Sequence, residues 1–254
     1  MIFDTHAHYD DEQFDIDRDE LLASMKANGI GHIVNVGANI KSTRGALELA
    51  HKYDFIYAAV GVHPSDVEEL NEDSFELLRE WSQDGRCVAI GEIGLDYHWP
   101  DPEPEIQKKW FKRQLELARQ ERLPVIIHSR DAAKDTLDIM REEHAEEIGG
   151  IVHCFSYSKE VAAQCVEMGF YIGVGGVLTF KNGRKMREVV EQTPMEKLLL
   201  ETDCPYLAPE PYRGKRNNSL YLPYVVTEMA RIKGISEQEV IDITEQNAKR
   251  VYNC

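Results

Sequence analysis

Val125-Ile126-Ile127-His128-Ser129-Arg130 is a short apolar run ending in a histidine, and a helical pattern follows it over Ala132–His144. The same plan recurs along the chain. Short apolar runs occur at Ile2–Thr5, His32–Val36, Ile56–Val60, Cys87–Ile90, Val125–Ile127, Ile151–Val152, Tyr171–Val174 and Lys197–Leu200. Between them lie helical patterns such as Ile16–Met25, Ser65–Trp81 and Glu105–Gln120; in the last, Ile106, Trp110 and Leu117 share one face while Lys108, Lys109 and Arg119 can face water. Strands that alternate with helices are parallel strands joined by crossovers. A doubly wound open sheet gives a similar alternation, but eight such units in a chain of 254 residues favour a closed (β/α)8 TIM barrel. Ser236-Glu237-Gln238-Glu239 reads as a capping box opening a last helix to Tyr252, a C-terminal extension expected on the outside of the barrel. With no Pro/Gly/Ser-rich linker and no fixed-period repeat, residues 1–254 are expected to form one domain.

Composition narrows the function. The chain carries 29 Lys+Arg against 45 Asp+Glu, a net charge of −16, and 43% hydrophobic residues. The apolar fraction supports a sizeable core and excludes a disordered or fibrous protein. The acidity argues against a protein that coats duplex DNA with a basic face. It leaves a phosphate-bearing substrate open, because bound divalent cations invert the local field. No apolar run nears the roughly 18 residues that span a bilayer. The start Met1-Ile2-Phe3-Asp4 lacks the pattern of a signal peptide. Five scattered cysteines without a CxxC pair fit a reducing cytosol, so a cytoplasmic location is expected. A monomer without an obligate protein partner is the default expectation.

The polar residues at the strand ends carry the chemistry. The first run leads into His6-Ala7-His8, the fourth into Gly91-Glu92, the fifth into His128, the sixth into His153 and the eighth into Glu201-Thr202-Asp203. In a barrel these ends meet at one rim, where such enzymes place their active sites. His6 and His8 stand two apart on an extended chain, so both imidazoles point the same way. A lone histidine at a strand end is commonly a hydrogen-bonded structural residue, and a lone carboxylate there commonly serves the next helix as a cap. Four histidines and two carboxylates at five of eight strand ends are not explained that way. Imidazole and carboxylate without thiolate suit zinc, manganese, iron or cobalt, with magnesium where oxygen dominates. Six ligands exceed the set of one open zinc site, so two divalent ions are expected, with a carboxylate such as Glu92 able to bridge them. Cys154 and Cys204 follow His153 and Asp203 directly and should turn away as small buried residues.

Around these residues the sequence resembles the TatD-type metal-dependent deoxyribonucleases, a branch of the amidohydrolase-like barrels. The likeness covers essentially the whole chain. It rests on Asp4-Thr5-His6-Ala7-His8, Gly61-Val62-His63-Pro64, Gly91-Glu92-Ile93-Gly94-Leu95-Asp96-Tyr97 and Val125-Ile126-Ile127-His128-Ser129-Arg130. It continues through His153-Cys154-Phe155-Ser156, Glu201-Thr202-Asp203-Cys204-Pro205-Tyr206-Leu207 and Tyr212-Arg213-Gly214-Lys215-Arg216-Asn217. The resemblance implies that His6, His8 and Asp203 hold one metal, that His128 and His153 hold the other, and that Glu92 bridges. It further implies hydrolysis of DNA phosphodiester bonds with magnesium or manganese, nucleotides being removed from single-stranded or frayed 3′ ends, with His63, Arg130, Arg213 and Lys215 near the substrate phosphates. Two positions depart from the family pattern: Asn218-Ser219 stands where Glu-Pro is frequent, and Tyr157 where glycine is common. Both bear on how substrate fits.

Within this frame Asp203 is the candidate general base, reaching both a cation and the attacking water. Arg130 and Arg213 can fork onto phosphate oxygens, and Lys215 adds a point charge. Tyr97 and Trp99 could stack on a base or pack the rim loop. Glu201, two residues before Asp203, could orient a ligand or brace the strand end. The competing reading is hydrolysis of another bond in a phosphate-bearing substrate, such as an aminoacyl ester on tRNA, because related barrels serve many chemistries.

Overall fold

The computed structural model describes residues 1–254. Its strands are β1 (Ile2–Ala7), β2 (Ile30–Val36), β3 (Ile56–Val60), β4 (Cys87–Asp96), β5 (Val125–Arg130), β6 (Gly150–Val152), β7 (Tyr171–Val174) and β8 (Leu198–Leu200). They form one parallel sheet in sequence order. β1 returns to the chain beyond β8 through a parallel bridge between Ala7 and Cys204, with Asp203 N donating to His6 O (2.9 Å) and His8 N to Cys204 O (2.8 Å). The expected eight-stranded barrel is therefore present, nearly closed. The helices are α1 (Arg18–Ser24), α2 (Ile40–Lys52), α3 (Glu72–Ser82), α4 (Pro104–Glu121), α5 (Ala133–Glu142), α6 (Lys159–Glu167), α7 (Arg184–Gln192), α8 (Leu222–Lys233) and α9 (Glu237–Tyr252). None is long and apolar enough to cross a membrane.

Two apolar layers follow from strand alternation. Residues such as Ile33, Ala58, Val60, Val125 and Ile127 face outward into a large cluster with helix residues, among them Leu22, Ala46, Leu78, Trp110 and Leu117. Their neighbours Phe3, Val34, Val36, Ala59, Ala89, Ile126, Ile151, Tyr171 and Leu199 fill the barrel interior. Ala248 and Tyr252 of α9 join this inner cluster, and the Tyr252 hydroxyl donates to Thr5 O (2.8 Å). The last helix thus plugs the end opposite the rim instead of lying outside the barrel. Its expected capping box is present: Ser236 Oγ accepts from Glu239 N (3.2 Å), and Glu239 Oε2 accepts from Ser236 N (2.9 Å). The continuous helix expected over Ser65–Trp81 is divided. A 3-10 turn (Pro64–Glu69) precedes α3, because Asn71 accepts from Asp73 N and Ser74 N and starts a new helix.

Alternation alone carries four rim residues inward: Ile126 is followed by His128, Ile151 by His153, and Leu199 by Glu201 and Asp203. β1 and β4 break the rule. Phe3 and His6 are three apart, as are Ala89 and Glu92, so strict alternation would send His6 and Glu92 outward. Pairing shows the remedy. Asp4 and Ala7 oppose Ile33 and Asn35 of β2, and Ile90 and Ile93 oppose Val125 and Ile127 of β5; each holds one extra residue. Such a bulge inverts the parity and re-aims the side chains beyond it. β4 also outruns its expected end at Ile90 and continues to Asp96, so Glu92 lies inside the strand.

Candidate metal centre

Glu92 is the middle of the site, 3% exposed. Its Oε2 lies 3.4 Å from His6 Nε2 and 3.8 Å from His8 Nε2. Its Oε1 lies 2.6 Å from His128 Nδ1 and 2.5 Å from His153 Nε2. The two carboxylate oxygens are thus divided between two histidine pairs. Asp203 joins the first pair, with Oδ1 3.5 Å from His8 Nε2 and 3.8 Å from His6 Nε2. His6 Nε2 and His8 Nε2 are 3.0 Å apart, as same-face geometry on an extended strand requires, and His128 Nδ1 and His153 Nε2 are 3.2 Å apart. All six expected residues converge.

Nitrogens brought this close can share a proton between them or, with their lone pairs free, hold a cation. His8 Nδ1–H donates to Val36 O (2.8 Å), which leaves Nε2 as the lone-pair nitrogen facing the centre. His128 Nε2–H donates to Asp96 Oδ2 (3.1 Å), which leaves Nδ1 facing Glu92. A carboxylate or carbonyl behind a ligating imidazole is the usual means of holding its tautomer. Atoms of His6, His8 and Asp203 lie within 4.8 Å of one another, as do atoms of His63, Glu92 and His128, and of His6, His153 and Glu201. No cysteine belongs to these groups; Cys204 is fully buried, as expected, whereas Cys154 is only partly buried. The donor set is hard to borderline and fits divalent cations.

The electrostatics of the protein alone agree. Burial and the neighbouring His153 depress His6 to about 4, against the pull of Glu92. For His8 burial again lowers, but the hydrogen bond and charge of Asp203 outweigh it and raise the ring to about 9. Burial likewise opposes protonation of His128, while Asp96 and Glu92 lift it to about 9. Burial raises the carboxyl of Glu92, yet the surrounding His153, His63 and His128 hold it well below the usual range. Glu92 is therefore held as an anion, and the histidines supply the balancing positive charge that a dication would replace.

His63 belongs to this centre more closely than its expected role at the substrate phosphates required. Its Nε2 is 3.7 Å from Glu92 Oε1, and its ring meets that of His128 edge-on with centroids 4.2 Å apart. Its Nδ1 accepts from Ser65 N (3.1 Å), so the proton of the neutral ring sits on Nε2. Burial beside His128 keeps the ring neutral, with its pKa at about 3. His63 is a donor at this position.

Arg130 ends β5, exposed, opposite Asp96 in the strand pairing. Arg213 and Lys215 are exposed on the loop after β8; the guanidinium lies 4.2 Å from the Phe180 ring centroid and the ammonium 5.7 Å from that of Tyr212. Asn217 ties this loop to the rim, its Nδ2 donating to Thr202 O (2.9 Å) and Tyr206 O (2.8 Å). Ser219 of the first departure is internal: its Oγ donates to Asp4 Oδ2 (2.6 Å). Asp4 also accepts from Thr202 Oγ1 (2.7 Å) and Thr202 N (3.0 Å), holding β1 against the end of β8. Tyr157, the second departure, shares a hydrogen bond with Ser129 Oγ (3.0 Å) and accepts from Ala132 N (3.0 Å). Tyr97 donates to Asp135 Oδ2 (2.9 Å) and packs the loop, whereas Trp99 is exposed.

Sequence reasoning gave no role to Asp96 or to Asp4. Asp96 stands four residues past Glu92 on the same face of an extended strand, a signal hidden once the strand was ended at Ile90. Asp4 offered no local sign, because its partners lie 198 and 215 residues away.

The family model described as TatD related DNase matches residues 3–253. The chain belongs to this family. It is a metal-dependent hydrolase of the TatD family. It is 47% identical over 252 residues to the metal-dependent hydrolase YabD of Bacillus subtilis, with 99% of each chain covered. It is 33% identical over 256 residues to the 3′-5′ ssDNA/RNA exonuclease TatD of Salmonella typhimurium, covering 99% of this chain and 98% of that one. The crystal structure of YjjV, a TatD homologue from Escherichia coli, superposes with a TM-score of 0.94 at 31% identity, covering 100% of this chain and 98% of that one. The TatD-type resemblance and the barrel expected from the sequence are both borne out.

Proposed function

We propose that this TatD-family hydrolase is a deoxyribonuclease that removes nucleotides from single-stranded or frayed 3′ ends, working at a centre of two divalent ions. The division of the two Glu92 oxygens between His6/His8 and His128/His153 carries the reading. In it, His6, His8 and Asp203 hold one ion, His128 and His153 the other, and Glu92 bridges; magnesium, manganese and zinc all suit the donors. Divalent ions supply Lewis acidity toward phosphoryl oxygen and bring the acidity of water toward neutral pH.

The chain's own groups do the rest. Asp203 is the base: its side chain is 18% exposed against 4% for Glu92, so it is the carboxylate of the centre that an attacking water can reach. It orients the water and takes its proton as the new P–O bond forms and the bond from phosphorus to the 3′ oxygen of the preceding nucleotide breaks, that oxygen then taking up a proton from Asp203 or solvent. His63 donates a hydrogen bond from Nε2–H to a phosphate oxygen and keeps its proton. Arg130 and Arg213 fork onto phosphates further along the strand, and Lys215 adds positive charge to a chain that is otherwise strongly acidic. The exonuclease named among the relatives favours this substrate class. We read residues 1–254 as one domain, monomeric, and its five unpaired cysteines suit the cytosol.

The test is incubation of the manganese-loaded protein with 3′-labelled single-stranded DNA, an RNA strand and an aminoacyl-tRNA. Mononucleotides from DNA support the reading. Free amino acid with intact DNA moves the assignment to ester hydrolysis on tRNA. EDTA and His128→Ala should each abolish the activity.

A further inference from the structure

Beneath the centre the barrel holds a carboxylate that the reaction above does not use. Glu201 is 1% exposed and points inward from the end of β8. Its Oε1 accepts from Cys154 N (2.5 Å), and its Oε2 has no hydrogen-bond partner in the protein. The space it occupies exists because β7 carries Gly173 at the facing interior position, where a Cβ would collide with the Glu201 carboxylate. A buried carboxylate oxygen left unpaired is costly and calls for a donor. Two further buried atoms without partners are the Nδ1 nitrogens of His6 and His153. These rings are stacked, with centroids 3.9 Å apart and planes at 8°, and both direct Nε2 toward Glu92. One ring nitrogen of each and a Glu201 oxygen lie within 4.8 Å of one another. A neutral imidazole that ligates through Nε2 must carry its proton on Nδ1. The protein thus presents two donors and one acceptor, buried and without partners, on three neighbouring residues; polar groups just beyond direct bonding distance are commonly joined by a water.

We propose that Glu201 is a shared positioning residue which accepts, directly or through one water, from the Nδ1–H groups of His6 and His153 and so orients one histidine of each metal site. It rests on the dinuclear reading above. His6 belongs to the set with His8 and Asp203, and His153 to the set with His128. One carboxylate therefore sets ligand orientation on both sides of the Glu92 bridge, and its loss weakens both ions together. The arrangement differs from those of Asp96 and Val36 O, each of which serves a single imidazole.

Stepwise manganese binding is measured by calorimetry on the full chain, with the coupled dinuclear manganese resonance signal as a second readout, for the wild type, Glu201→Gln and Gly173→Ala. In Glu201→Gln the amide oxygen can still accept from Cys154 N, while the NH2 group opposes the histidine donors. Gly173→Ala keeps the Glu201 carboxyl group but displaces it. Outer partners of metal ligands typically contribute about 10–100-fold in affinity; Glu201→Gln should lose that much at both steps, Gly173→Ala should lose less but again at both, and the coupled signal should fade. Circular dichroism in EDTA reports folding, and if Glu201→Gln fails to fold, Gly173→Ala decides. Two ions in the wild type with unchanged affinities in the folded variants, or loss at one step alone, overturns the inference. A single ion in the wild type overturns the dinuclear reading and this inference with it.

Discussion

Replacing Asp96 by asparagine should weaken one metal site and spare the other. Asp96 is 3% exposed, accepts from His128 Nε2–H at 3.1 Å, and is anchored by His98 N at 2.9 Å. Burial pushes its carboxyl up, but the His128 hydrogen bond and that backbone donor outweigh it and hold it below the ordinary value, so it is an anion at neutral pH. The asparagine keeps the size and one acceptor oxygen and removes only the charge. A hydrogen bond to a charged group contributes about 1.5–3 kcal/mol, roughly twice a neutral one, so about 1–1.5 kcal/mol should be lost. At 1.4 kcal/mol per decade, that is close to tenfold in the affinity of the ion served by His128. Calorimetric titration with manganese measures it, and a cycle with His128→Ala tests the route, because the Asp96→Asn effect should vanish once the imidazole is gone. Equal weakening of both binding steps, or an Asp96→Asn effect that persists in the His128→Ala background, would refute the reasoning.

Asp203→Asn should still bind manganese but lose at least 100-fold in turnover, as measured by release of labelled nucleotide; near-full turnover with metal bound removes Asp203 as the base. Saturating manganese should stabilise the folded chain: an ion at 100 times its dissociation constant adds ~2.7 kcal/mol, equivalent to about 5–10 °C in melting midpoint for a chain of this size, and EDTA should reverse it. Asp4 provides a pH test. Burial raises its folded carboxyl to about 6 from the ordinary 3.8, against the hydrogen bonds of Ser219 and Thr202. The folded state therefore binds more protons between those values, so this group's contribution to stability is greatest below pH 3.8 and declines as pH rises to about 6. The stability difference between wild type and Asp4→Asn, measured by urea denaturation in EDTA, should shift against the wild type over that interval, and the opposite slope contradicts the assignment.

The barrel and most of the centre were legible because both follow from short-range periodicities. Apolar runs of strand length alternating with amphipathic helices demand parallel strands with crossovers, and eight of them fill a closed barrel. His128, His153 and Asp203 then fall at the rim by simple alternation from Ile126, Ile151 and Leu199. His6 and Glu92 reach the same place by a different cause. The sequence places both at strand ends, but their inward orientation depends on extra residues in β1 and β4, and no propensity signals a bulge in Asp4–Ala7 or Ile90–Ile93. The last helix was found with its cap and given the wrong position, since a capping box states where a helix begins and says nothing of which end of the barrel it covers.

Sequence by itself determined the elements, their order and the chemical identity of the centre, because these depend on neighbours within a few residues and on residue type. Tertiary structure decided how Glu92 divides its oxygens, which nitrogen of each histidine faces inward, and that Asp4 latches β1 to Thr202 and Ser219. Those are contacts between groups up to 215 residues apart, down to single ångströms. A one-dimensional pattern carries the side-chain period, while the register between strands is set only when the barrel closes.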